Sequence, residues 1–414
     1  MYKSLLSNRN FVALWIGQAI SSIGDYFTLL AIPIFINRLT GSVMMVGFSF
    51  IATALPALVL GPVAGVFVDR LDRRKVMIAS DVLRGVLTLC LLTINDASQV
   101  WILYILGFLI SCTSQFFFPA RGAVLPLIVA DPQDWLAANS IMRVIQTIGM
   151  LGGPALAGFA IGRWGERIAF ITDGASFFAS ALAIFLMSVP RTTLGPSHKT
   201  ATVRTAWTDL REGMAFLFGN RVTLGVLICM TFASIGFSTV NMIWIPYLQR
   251  TYGVGASGLG IADAALGLGM LISGLLVGQL ARRVNKTMMS AGSIAFIGAI
   301  YLTIIFLPAF PWIIAWQFLG GLALTPMQSA LDTIMQMAVP DLKRGRVGSS
   351  MNAVATAAGL LSMAVASLFG ETIGLRGVFI TVGFFVLVSG LLGFWLLREP
   401  EEPKGEFVTE SNFS

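Results

Sequence analysis

Apolar runs of about 20 residues follow one another almost end to end along this 414-residue chain. Each is long enough to cross a ~30 Å hydrocarbon core as a helix. Twelve runs are predicted, at 11–37, 43–68, 75–95, 99–126, 136–161, 168–189, 219–248, 257–281, 287–308, 311–337, 346–371 and 375–397. In lipid every backbone polar group needs a partner within the protein, which leaves helices or closed barrels. Barrel strands alternate in polarity, whereas these runs are continuously apolar. The expectation is an all-α membrane protein of twelve transmembrane helices. Only 11% of the residues are charged, against about 25% in a soluble domain.

The charges that remain give an orientation. One set of loops holds twenty Lys and Arg, among them Arg70, Arg73, Arg74, Lys75, Arg121, Arg282 and Arg346, and the other set holds five: Arg38, Arg163, Arg167, Arg250 and Arg376. Cytoplasmic loops carry the excess of positive residues, so both termini are expected in the cytoplasm of a multi-pass cell-membrane protein. The net charge of +7 then reflects topology, and no nucleic-acid partner is expected. The N-terminal run exceeds a signal-peptide core and is taken as the first span. Cys90, Cys112 and Cys229 all fall in apolar runs without metal-ligand or disulfide spacing, so they are packing residues. The single histidine, His198, lies in a polar stretch, which leaves any proton coupling to carboxylates. No phosphate-binding loop is present, so neither a nucleotide, a metal nor another cofactor is expected, and no enzyme activity.

The chain repeats itself. Ser22-Ile23-Gly24 recurs as Ser234-Ile235-Gly236, Ile32-Pro33 as Ile245-Pro246, and Gly61-x-x-x-Gly65 as Gly274-x-x-x-Gly278, at offsets of 212 or 213. Parallel six-span repeats are a transporter architecture. The expected organisation is an N-terminal six-helix half at 1–190, a cytoplasmic central loop at 191–218, a C-terminal half at 219–398 and a disordered tail at 399–414.

A dense charge knot sits between the second and third runs: Gly65-Val66-Phe67-Val68-Asp69-Arg70-Leu71-Asp72-Arg73-Arg74. Gly149-x-x-x-Gly153-Pro154-x-x-x-Gly158 marks the fifth run. The first pattern resembles the loop 2–3 motif of the major facilitator superfamily, and the second resembles the antiporter motif of its drug exporters, with Ala157 where a Gly is usual. Gly24-Asp25, Phe118-Pro119-Ala120, Asp173-Gly174-x-Ser176-Phe177 and Gly345-Arg346-Val347 resemble the branch of macrolide-efflux proteins and the enterobactin exporter. The usual mid-membrane Arg of span 4 is absent, and only Arg121-Gly122 stands at that helix's cytoplasmic end.

Asp25 is the sharpest candidate site residue, because an acid in mid-span is costly and functional by default. Gln18, Ser21, Asp25 and Thr28 share one helical face, answered in span 7 by Thr231, Ser234, Ser238 and Asn241. The resemblance places spans 1, 4, 7 and 10 around a central cavity, which makes both stripes candidates for its lining. Asp25 either takes a proton or pairs with a cationic substrate, or it stays hydrogen-bonded and only packs. Arg143 is a counter-ion for Asp25 or a structural residue. Arg121 and Asp332 either pair as a cytoplasmic gate or act as independent interfacial charges. Asp173 and Asp263 are read as structural, and Asp81 and Arg84 as a local pair. Gly61 and Gly65 permit close helix approach, and the resemblance implies that Asp69 latches the outward-open state against the N-terminus of span 11. Gly149, Gly153, Pro154 and Gly158 are expected to form a tight seam with span 8 at Gly267, Gly269, Gly274 and Gly278.

The expected function is secondary active export of amphipathic, drug- or macrolide-like small molecules by alternating access, as a monomeric proton antiporter in the lipid bilayer. A siderophore or metabolite exporter is the near alternative. An uptake symporter or a non-transporting membrane receptor or scaffold is more distant.

Overall fold

The computed structural model describes residues 2–68, 70–129, 131–189 and 203–397. Within them the chain is helical throughout: α1 (Tyr2–Ser7), α2 (Arg9–Thr40), α3 (Val43–Val68), α4 (Arg73–Cys90), α5 (Val100–Ile128), α6 (Trp135–Trp164), α7 (Arg167–Leu186), α8 (Val203–Gly219), α9 (Arg221–Tyr252), α10 (Ala256–Arg283), α11 (Lys286–Thr303), α12 (Phe310–Ala338) and α13 (Arg344–Leu396). Ten helices among the described residues are long and apolar enough to cross a membrane. The protein is therefore a multi-pass helical membrane protein.

Two of these helices are built alike. Asn8 and Asn220 cap the starts of α2 and α9 by accepting backbone N–H bonds, from Asn10 and Phe11 and from Val222 respectively. Both helices run 32 residues, carry one internal proline (Pro33, Pro246) and end on left-handed glycines, Gly41 (φ 63°) and Gly253 (φ 64°). A glycine takes that backbone conformation without a Cβ clash and lets the chain leave the helix sharply. Caps and stops are both 212 positions apart, matching the sequence repeat.

Helix α13 is one continuous element only by name. Gly374 breaks it with non-helical backbone (φ 76°, ψ 151°), and its two arms run antiparallel. Glu371 reaches the turn beside Gly41, accepting hydrogen bonds from Ser42 Oγ (3.4 Å) and Val43 N (3.1 Å). Both outer ends of the arms return to the opposite pole, where Ser350 bonds Leu210 O and Thr287 bonds Leu397 O. The molecule thus has a Gly41 end and an Arg73 end.

Helix α2 packs on α6 and α7, α3 on α5, and α4 on α5 and α7, while α9 and α11 pack on α13 and α10 on α12. Residues 2–189 meet residues 203–397 chiefly along α6–α10 and α3–α13. Glycines make these seams close. A Cβ on Gly47 would lie 2.6 Å from Ser367 Cβ and 2.7 Å from Met242 Sδ.

The segment 191–218, expected as a loop, is helical from Val203. Leu210, Met214 and Leu217 recur at helical spacing, and Leu217 is fully buried, so one face has a core to join. Its polar face grips α13: Arg346 Nε lies 2.8 Å from Asp209 Oδ1, and Arg346 Nη1 lies 2.5 Å from Glu212 Oε2. The first part of that segment, with His198, and the tail beyond Leu397 lie outside the described residues.

Candidate functional site

Three cavities meet around one turn of α2. The largest, ≈620 Å³, is lined by Gln18, Ser21, Ser22, Asp25, Tyr26 and Leu29 from α2, Arg84 from α4, Phe117, Phe118 and Arg121 from α5, and Arg143, Gln146, Thr147 and Met150 from α6. A second, ≈190 Å³, takes Asp25, Thr28, Leu29, Ile32 and Pro33 from α2 and adds Ser49, Thr53, Ser111, Ser114, Asp173 and Phe177. A third, ≈210 Å³, shares Tyr26, Leu29 and Met150 with the first and is closed by Asn241, Trp244, Asp263, Tyr301 and Gln317. Asp25 stands on the wall between the first two. The carboxylate singled out in the sequence faces open volume.

The polar face of α2 behaves as its spacing requires. Gln18, Ser21 and Asp25 line the large cavity and Thr28 the small one. Gln18 accepts a hydrogen bond from Arg121 Nη1 (3.0 Å) and donates to Ser180 Oγ (3.4 Å). Arg121 also lies 5.3 Å from the Phe118 ring centre. Arg143 joins the same cavity, so the structure brings together Asp25, Arg121 and Arg143. Arg121 and Asp332 form no ion pair among the described residues, and Asp332 lines none of the three cavities.

The stripe on α9 is divided. Asn241 lines the third cavity. Ser234 donates to Ala355 O (2.8 Å), and Ser238 lies where a Cβ on Gly359 would come within 2.6 Å of its Oγ. Those two serines therefore pack on α13. Both stripes show helical periodicity, but periodicity does not say which neighbour a face meets.

Two groups read as local or structural belong to the site. Arg84 bonds Asp81, with both side chains buried, and its guanidinium carbon lies 4.4 Å and 4.3 Å from the ring centres of Phe117 and Phe177. A desolvated cation between two aromatic faces gains from both ring quadrupoles. That sandwich fixes an arginine at the cavity wall from α4. Asp173, buried on α7, shares the small cavity with Asp25 and accepts from Ser176 Oγ (3.4 Å). Gly24 makes room for both groups, since a Cβ there would sit 2.2 Å from Ser176 Oγ and 2.8 Å from Asp173 Oδ1. The Asp173-Gly174-x-Ser176-Phe177 run was the available signal, because it supplies the acid, its hydroxyl partner and one aromatic face in five residues.

The fifth-run motif serves two partners. Gly149 and Gly153 receive the Tyr26 ring of α2, with a Cβ on Gly153 only 2.6 Å from it. Gly158 meets α10, where a Cβ would lie 2.5 Å from Ala256 O and 2.9 Å from Gly260 Cα. Gly260 in turn faces Pro154 O, and Gly267 faces Met150 and Leu151. Gly269 packs on α12 instead, and Gly274 and Gly278 make no close approach.

Hydrogen bonds across the seams concentrate at the Gly41 end. Asn37 Nδ2 donates to Gln249 Oε1 (2.5 Å), Arg250 bonds Gly41 O, and Ser257 Oγ bonds Gly158 O (3.3 Å). At the Arg73 end, Asp72 caps α4 and Arg74 bonds the carbonyls of Ile184 and Phe185. Gly65 has open space around it, Arg70 is exposed, and Asp69 lies outside the described residues.

A multi-pass helical protein with an open, charged cavity among α2, α4, α5 and α6 and with hydrogen bonds joining one end has the architecture of a membrane transporter. Residues 14–243 and 226–412 match the Major Facilitator Superfamily, and the chain belongs to that family. It is a transporter and not an enzyme. It is 28% identical over 426 residues to the uncharacterized MFS-type transporter YfiS of Bacillus subtilis (strain 168), covering 100% of this chain and 99% of that one. It is 26% identical to macrolide efflux protein A of Streptococcus pyogenes (92% and 94% covered) and 27% identical to the multidrug efflux pump Tap of Mycolicibacterium fortuitum (91% and 92%). Among solved structures it resembles the nucleoside transporter NupG (TM-score 0.74, 12% identity, 94% and 100% covered). It also resembles a bacterial homologue of the iron transporter ferroportin in its inward-facing state (TM-score 0.71, 17% identity, 94% and 98% covered).

Proposed function

We propose that this transporter exports amphipathic, drug- or macrolide-like small molecules by alternating access, in exchange for protons, with Asp25 as the coupling carboxylate. The observation that carries the reading is the position of Asp25, on the shared wall of two cavities beneath a seal at one end only. Relatives named for macrolide and multidrug efflux support the direction and the substrate class. In this reading the two arms of α13 cross the membrane separately and α12 crosses as well, giving twelve spans in two six-helix halves. In the same reading the Lys and Arg excess puts the Arg73 end and both termini in the cytoplasm, the conformation corresponds to an inward-facing state, and the protein works as a monomer in the cell membrane.

The chemistry follows from the surroundings. A carboxylate inside a membrane protein is costly when charged and unpaired. In the cavity, Arg121, Arg143 and water can stabilise the carboxylate, whereas closure that excludes water disfavours a charge left without a partner. Rocking of the halves would move Asp25 between those environments and so couple protonation to conformation. One proton crossing ~100 mV supplies about 2.3 kcal/mol, close to fifty-fold in concentration. Gly65, Asp69, Arg70, Arg73 and Arg74 are proposed as the latch of the opposite, outward-open state, when the Arg73 end closes and the space around Gly65 fills. Uphill export of a fluorescent amphipathic substrate in vesicles with an imposed pH gradient tests the reading. Asp25→Asn is expected to abolish gradient-driven accumulation while leaving binding partly intact. Unchanged uphill transport in that variant rules Asp25 out as the coupling site, and no flux of any solute by the purified protein favours a receptor role.

A further inference from the structure

The third cavity contains a carboxylate that the coupling mechanism does not use. Asp263 Oδ1 accepts one hydrogen bond, from Trp244 Nε1 at 3.0 Å. No Lys, Arg or His lines this cavity, and Asp263 has no ion-pair partner among the described residues. Its walls are mostly apolar and include four aromatic side chains, Tyr26, Phe237, Trp244 and Tyr301, with the amides of Asn241 and Gln317 as further polar groups. A purely structural acid at this depth would be expected to have a cation or several donors. This one has a single neutral donor and an adjoining void.

We propose that Asp263, with Trp244, Tyr301 and Phe237, forms a subsite for the substituted ammonium group of a substrate, separate from Asp25. The inference rests on the export reading above and adds to it the charge and orientation of the substrate. Aromatic faces around a carboxylate attract an organic cation twice, through the ring quadrupoles and through the acid. A divalent metal ion fits poorly, because Mg²⁺ or Ca²⁺ needs six or more oxygen ligands and this cavity supplies one carboxylate and two amides. The ≈210 Å³ volume has room for a head group, and the shared Tyr26, Leu29 and Met150 let the rest of the molecule extend into the ≈620 Å³ cavity.

Electrostatics fixes the direction. With Arg84 paired to Asp81, Arg121 and Arg143 outnumber Asp25 in the large cavity, so a cationic head placed there meets a net positive charge, and repulsion of the wrong pose contributes to specificity. The head therefore turns to Asp263, and Asp25 remains among the arginines, available to a proton. The two acids divide the work: one reads the substrate's charge and the other carries the exchange.

The test is equilibrium binding to the purified full-length protein without a gradient, so it stands apart from any failure of transport. The probe is tritiated benzyltrimethylammonium, and the competitor is its neutral isostere neopentylbenzene, which differs by carbon for N⁺. On the unmodified protein the neutral isostere is expected to compete at least about tenfold worse than unlabelled cation, in line with a desolvated cation–π site. Asp263→Asn should erase that preference and weaken the cation by about tenfold or more, and Asp263→Glu should retain part of it. Absence of cation binding to the unmodified protein, equal competition by the isostere, or an unchanged affinity in Asp263→Asn each overturns the proposal. The isostere comparison needs no variant, so it decides the matter even if a substitution impairs folding.

Discussion

Replacing Gly158 by alanine should act as a wedge in the seam that seals the Gly41 end. The added methyl would lie 2.5 Å from Ala256 O, 2.9 Å from Gly260 Cα and 3.0 Å from Gly260 N. All three are backbone atoms of α10, so no side-chain rotation can make room, and the helices have to separate. Overpacking of this kind costs about 1–3 kcal/mol. The cost falls only on the conformation in which α6 and α10 touch, so it shifts the ratio of sealed to parted ends by about 5–150-fold. Spin labels at Thr40 and Thr251, in a background lacking Cys90, Cys112 and Cys229, would report the separation as a distance distribution. Gly158→Ala should move population from the short distance to a longer one. Gly152→Ala is the control, because nothing lies within 4 Å of the methyl it adds. If the two variants give the same distribution, the seam is not what holds this end shut, and the reasoning from close approach fails.

The pair Asp81–Arg84 gives a second test. Because both side chains are buried, Arg84→Ala leaves an uncompensated charge and should cost about 3–5 kcal/mol, read as a large fall in the thermal unfolding midpoint; Asp81→Asn with Arg84→Met should recover much of it, and a small effect of Arg84→Ala alone would show that the cavity is wet enough to solvate Asp81. Asp69→Asn should slow turnover in the vesicle assay and bias the spin-label distances at Thr40 and Thr251 toward the sealed Gly41 end, and identical turnover and distances would remove the latch.

The apolar runs, the internal repeat and the charge excess are one-dimensional signals, and helix existence follows from them because lipid permits little else. The place of Asp25 at a cavity was legible for the same reason, since an acid in the middle of an apolar run needs a polar surrounding. What the sequence hides is rotation and depth. Ser238 and Asn241 lie on one face by spacing, yet one meets Gly359 and the other a cavity. Arg84 reads as an i,i+3 partner of Asp81, and only packing supplies the rings of Phe117 and Phe177 that bring it to the site. Asp263 and Trp244 are 19 residues apart on successive helices, a separation to which no local periodicity corresponds. The helix of residues 203–219 was obscured by the polar residues around it, since an amphipathic helix at an interface lacks the continuous apolar run that marks a span.

Asn37 and Gln249 join the Gly41 end by one hydrogen bond, and they are each other's counterparts in the repeat, 212 positions apart. A residue that touches its own counterpart can do so only near the axis relating the two helices. Arg250 at Gly41 and Glu371 at Ser42 join the same end beside it. Duplicated helix ends let the two elements meet like with like, while the interiors between them, an acid at Asp25 and a serine at Ser238, are free to diverge in chemistry.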